Sequence, residues 1–164
     1  MLCFNACSMH YIQISFFAIL LAMRAAMNKK FFITWALIFV VWMVGSFIVH
    51  AVLLQGDYMQ LPNLFRTGKD SQQVFPFMIL AHVIMAGAFV WIYLHGVGNK
   101  SWAGQGFRFG VAAALLMIVP IYLIYYAVQP MPGVLVMKQI IFDSVLVIVL
   151  GMTVSFLYRG HERS

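Results

Sequence analysis

The chain has 164 residues, 64% of them apolar and 9% charged, with a mean hydropathy of +0.95 and a formal net charge of +6. A soluble domain is about 45–50% apolar and about 25% charged, so this composition belongs to a membrane protein and leaves no room for a separate soluble catalytic module. The basic residues lie in short clusters at the ends of apolar runs, a topological placement that points to the lipid bilayer and away from nucleic acid as partner.

Residues 1–26 differ from the rest. The apolar run 11–23 is short for a span, and no Lys or Arg precedes it. A secretory signal would need a basic start and a small-residue cleavage site. Met27, followed by Asn28, Lys29, Lys30 and a long apolar run, is a candidate start, which would make 1–26 an extension and 27–164 the membrane domain. The alternative is a short N-terminal helix in the interface. Cys3 and Cys7 have no second pair with which to complete a zinc site.

Four spans follow. The first, 31–54, carries Trp35 and Trp42 seven residues apart, hence on one face, and then Gly45, Ser46 and His50. The connection 56–73 holds Asp57, Tyr58, Leu61, Leu64 and Phe65 and is expected to lie on the membrane surface. The second span, 74–95, is expected to place Pro76 in its first turn, where proline is tolerated, with His82 about two turns in. The third, 107–128, contains Pro120, which should kink it. Tyr122, Tyr125 and Tyr126 follow as an expected aromatic belt, with Trp91 and Tyr158 in the same role at the other interface. After Pro130-Met131-Pro132-Gly133, the fourth span, 134–158, carries Lys138, Gln139 and Asp143.

Seven basic residues on one side of these spans face three on the other, six against three from Met27, which predicts an inner-membrane protein with both termini in the cytoplasm. The predicted fold is an all-α four-helix membrane bundle. Lipid tails are as apolar as leucine, so its helices must associate through close packing and hydrogen bonds. Gly106, Gly110 and Ala114 form one small-residue series for this, Gly151 and Ser155 another, and Gly87 stands among alanines in the second span. Homodimerisation competes with packing inside the chain as their purpose. The expected result is a tight inner half and a looser, more polar outer half.

His50, His82, Tyr122, Tyr125, Tyr126, Lys138, Gln139 and Asp143 all fall in that outer half. Gln139 and Asp143 share a helix face, while Lys138 lies about 140° from Asp143 and is better placed to snorkel outward. A carboxylate at that depth costs at least about 2.5 kcal/mol unless it is paired, hydrated or protonated. Asp143 is therefore either a proton-active or cation-binding group facing a watery cavity, or a structural carboxylate bonded to a tyrosine or to His82. His50 and His82 could in principle ligate a metal or haem, but two histidines without a repeated ligand motif favour interhelical hydrogen bonding. The twelve methionines are scattered, which favours packing over a copper path.

The basic start before Phe31, Ala81-His82, Gly106 with Gly110, and Asp143 with Gly151 together resemble a family of small four-span bacterial inner-membrane proteins of unknown activity. The resemblance implies no catalytic residue and no cofactor. Three functions remain open. The first is a non-enzymatic accessory or assembly component with a membrane-protein partner or a second copy of itself; the second is a small proton-coupled permease using Asp143 and His82; the third is a haem- or quinone-linked redox subunit.

Overall fold

The computed structural model describes residues 29–66, 68–98 and 101–160. The candidate start at Met27, the run 11–23, both cysteines, Lys100 and His161 lie outside them. All described secondary structure is helical. Four helical stretches are long and apolar enough to cross a membrane: Lys29–Leu53, Ser71–His95, Trp102–Val128 and Gly133–Leu157. At about 1.5 Å per residue each covers a hydrocarbon core of about 30 Å. The fold is the all-α, four-span one that the hydropathy pattern predicts.

The chain divides into two compact units, Met1–Ile33 and Thr34–Ser164. In the first, Lys29 to Ile33 form helical turns in which the Phe31 and Phe32 rings meet edge to face at 5.5 Å. The second holds the rest of α1 (Lys29–Phe47), then α2 (Gln55–Met59), α3 (Gly68–His95), α4 (Trp102–Ala113), α5 (Val119–Val128) and α6 (Gly133–Leu157).

Two stretches of π-helix interrupt the spans, Ile48–Leu53 after α1 and Ala114–Ile118 between α4 and α5. The wider π turn changes the register of the residues around it, and such turns are frequent at functional sites. The second ends just before Pro120, so the expected disturbance of the third span takes the form of a π segment. Pro76 corrects an expectation. The helix begins at Gly68, so the proline lies inside α3 and not in its first turn, and it deprives the Gln72 carbonyl of its usual amide partner. The helical boundary was hidden because the added turns are polar. The third span likewise starts at Trp102, five residues earlier than expected, which puts Gly106 inside α4.

The tightest packing joins α4 to α6. A Cβ on Gly106 would lie 2.8 Å from the Gly151 carbonyl oxygen, one on Gly110 2.6 Å from the Ile148 Cα, and one on Gly151 2.6 Å from the Gly106 carbonyl oxygen. All are backbone contacts, so the two helices touch main chain to main chain. Ala114 continues the buried seam. Buried Ser155 completes it by donating to the Trp102 carbonyl at 2.6 Å and accepting from the Tyr93 hydroxyl at 2.8 Å, which ties α3 to both. Tyr158, assigned above to an interfacial belt, is instead buried at this end of the bundle. Burial raises its phenol above the ordinary value, and a hydrogen bond with Thr34 lowers it in part.

The opposite end is closed by the first connection. Tyr58, Leu61, Leu64 and Phe65 pack on Val49, Leu54, Met131, Leu135 and Val136. The connection is therefore a plug seated on the helix ends, where its four apolar side chains find a core.

Candidate functional site

Between the plug and the glycine seam lies a cavity of about 620 Å³, walled by α1 and its π segment, α3, the second π segment, α5 and α6. Met43, Met78, Met85 and Met117, four of the twelve methionines, line it as flexible packing groups. Asp143 lines it too, with only 8% of its side chain accessible.

Two groups hold the carboxylate. Tyr122 donates its hydroxyl hydrogen to Oδ2. His50 stands on the other side, Nε2 being 3.4 Å from Oδ1. The second nitrogen of His50, Nδ1, is 2.7 Å from the Tyr58 hydroxyl, which also accepts from Gln139 Nε2 at 3.0 Å. A neutral His50 that accepts the phenol's hydrogen at Nδ1 carries its own on Nε2, toward Asp143. Burial raises the Tyr58 phenol above its ordinary value, the Gln139 bond lowers it, and the carboxylates of Asp143 and Asp57 raise it further, so it keeps the hydrogen it donates.

The arrangement is a continuous chain of exchangeable hydrogens, Gln139 to Tyr58 to His50 to Asp143, closed by Tyr122. It connects the plug with the cavity. Imidazole suits such a chain because it can take a proton at one nitrogen and release one from the other. The cost is Gln139 Oε1, buried with no hydrogen-bond partner among the described residues.

His82 is not the partner of Asp143. It donates from Nδ1 to the Met78 carbonyl at 2.8 Å and accepts at Nε2 from the Ser46 hydroxyl at 3.2 Å, with Trp42 edge-on at 6.3 Å. Both nitrogens are taken by the helix register of α3 and α1. Lys138 also departs from the expected outward snorkel: its ammonium sits 2.9 Å from each carboxylate oxygen of Asp57 on the plug. Tyr125 and Tyr126 are exposed, as residues of a belt would be, whereas Tyr122 is turned inward. Among the described residues no three of His, Cys, Asp and Glu gather as a metal-binding group.

Asp57 and Tyr58 were missed as site residues. Their only signal was a carboxylate and a phenol beside the apolar Leu61, Leu64 and Phe65 in a connection that had something to pack against. No family model, curated protein or solved structure matches this chain, so what the cavity does is argued from its own geometry.

Proposed function

We propose that this four-span protein is a small proton-coupled carrier, binding a small molecule in the cavity in exchange for a proton held by His50 and Asp143. One observation carries the reading: a buried carboxylate lines a 620 Å³ cavity and is joined by His50 and Tyr58 to the plugged end of the bundle. Cavities of about 300–1,000 Å³ with few polar groups in apolar walls are the usual form of small-molecule sites. An intramembrane carboxylate with a titratable partner is the usual form of a proton-linked one. The excess of Lys and Arg at the glycine-seam end orients that end to the cytoplasm and the cavity to the outer leaflet. An accessory subunit would need no such cavity. Four spans are few for a monomeric carrier, so the working unit is a homo-oligomer.

The test uses Asp143→Asn. Asp143→Asn breaks the pair with His50 on one side, which costs about 3–5 kcal/mol for a buried pair whatever its function, so stability is the folding control and proton movement is the readout. Denaturant unfolding in mixed micelles measures the control. In liposomes with an entrapped pH dye, a panel of apolar amines, acids and neutral alcohols should include a compound that moves protons through the wild type and not through Asp143→Asn. No Asp143-dependent proton movement with any compound of the panel, in a variant that folds, would refute the carrier.

A further inference from the structure

Resting on that reading, we infer that the cavity takes a lipophilic organic cation, one positive charge on a bulky apolar body, and that this charge replaces a proton on the His50–Asp143 pair.

The charge balance of the walls carries the inference. Among the described residues that line the cavity, Asp143 is the one carboxylate and none is Lys or Arg. The nearest cationic side chain on the same helix, Lys138, is held by both oxygens of Asp57 and does not line the cavity. An organic anion taken up as the proton leaves would add a second negative charge beside Asp143 in low dielectric, and the described walls offer it no Lys or Arg. A neutral molecule would leave the carboxylate without a counter-charge once the proton has gone. A cation that displaces the proton keeps the site neutral.

The walls fit the rest of such a molecule. Trp42, Phe47, Phe75 and Tyr125 supply aromatic surface, which attracts cations through the ring quadrupole and packs against apolar groups. The four methionines can reshape around bodies of different form.

The exchange balances in charge and atoms. Before binding, the exchanged proton is held between the His50 imidazole and the Asp143 carboxylate. The incoming cation takes the proton's place at Asp143, and the released proton passes through His50 and the Tyr58 hydroxyl, which gives up its own hydrogen as it gains one, to water at the plugged end. No bond other than N–H and O–H changes. The groups around the pair are Tyr122 from α5, Tyr58 from α2, Gln139 from α6 and His82 across the cavity from α3, with the Lys138–Asp57 ion pair joining α6 to α2 off the cavity wall. One proton released per cation bound makes affinity rise about tenfold per pH unit while the pair is protonated, and level off above.

The experiment compares three probes on the protein in lipid nanodiscs, with empty nanodiscs subtracted: tetraphenylphosphonium (cation), tetraphenylborate (anion of the same shape) and the smaller triphenylphosphine oxide (neutral). Expected is saturable binding of tetraphenylphosphonium alone, strengthening with pH and weakened at least tenfold in Asp143→Asn, with the pH dependence flattened in His50→Gln. The wild-type comparison of cation with anion needs no variant to fold. Equal binding of the neutral probe or the anion, unaffected by Asp143→Asn, overturns the cation while an Asp143-dependent proton flux with another compound would leave the carrier standing. Absence of cation binding above empty nanodiscs also overturns it.

Discussion

The two halves of the bundle solve the same packing problem in opposite ways. At one end α4 and α6 meet main chain to main chain through Gly106, Gly110 and Gly151, and the polar groups there, Ser155 and Tyr93, are used up in tying helices together. At the other the helices part around a cavity, and the polar groups form a chain that is closed at Tyr122 but leaves Asp143 on the cavity wall. In lipid, helices gain little from burying apolar surface against each other, so a gap can be held open only if close contact elsewhere holds the bundle. The seam provides that contact. A carrier needs this division, since the part that changes shape on binding has to be braced by a part that does not.

The largest predicted effect breaks the seam. Gly110→Val brings a branched side chain against the Ile148 main chain, which cannot swing aside, and should cost about 2–3 kcal/mol by overpacking. Gly56→Val, on the plug helix with nothing within 4 Å of its Cβ position, is the matched control and should cost far less. Unfolding in mixed micelles reads both. Equal effects would mean that the seam does not brace the bundle.

Much of this division was legible in the sequence. The spacing of Gly106, Gly110 and Gly151 marks close helix approach whatever the fold, because only absent side chains permit it. The depth of Asp143 followed from counting residues along an apolar run. The partners of Asp143 were harder to read. His50 and His82 lie at similar depths, and α-helical register alone gives no preference between them. The π segment at Ile48–Leu53 sets the direction of His50, and π turns have no reliable sequence signature. Lys138 with Asp57, and Gln139 with Tyr58, are each 81 residues apart, brought together when the plug seats on the helix ends. A connection with four apolar side chains fits a membrane surface as well as a protein one until the helix ends are in place.

A middle-sized effect sharpens the comparison at the polar end. Tyr58→Phe removes the hydrogen directed at His50 and leaves the Gln139 amide without its acceptor, a loss of about 1–2 kcal/mol. It also changes the response to alkali. Because the phenol is raised in the folded protein, the unfolded chain gives up that proton first, so stability is intact below the ordinary tyrosine value of 10.0 and falls as pH rises above it. Tyr58→Phe should remove part of this fall above the ordinary tyrosine value. Tyr158→Phe should do the same from the seam end, where burial also raises the phenol. If Tyr58→Phe leaves the alkaline limb unchanged, the plug is not seated as described.

The smallest effect bears on the charge balance of the cavity. Lys138 and Asp57 form a bidentate pair whose side chains are 42% and 27% accessible, and exposed pairs of this kind contribute about 0.2–1 kcal/mol. A double-mutant cycle with Lys138→Gln and Asp57→Asn should return a coupling in that range that shrinks as salt screens it. Such a value would show the pair to be solvated, so the ammonium adds little positive potential at Asp143 and the cavity keeps its preference for cations. A coupling above about 2 kcal/mol, insensitive to salt, would mark the pair as desolvated. Its charges would then act on the cavity, and Lys138 would have to be counted with His50 among the groups that set which ligand Asp143 can accept.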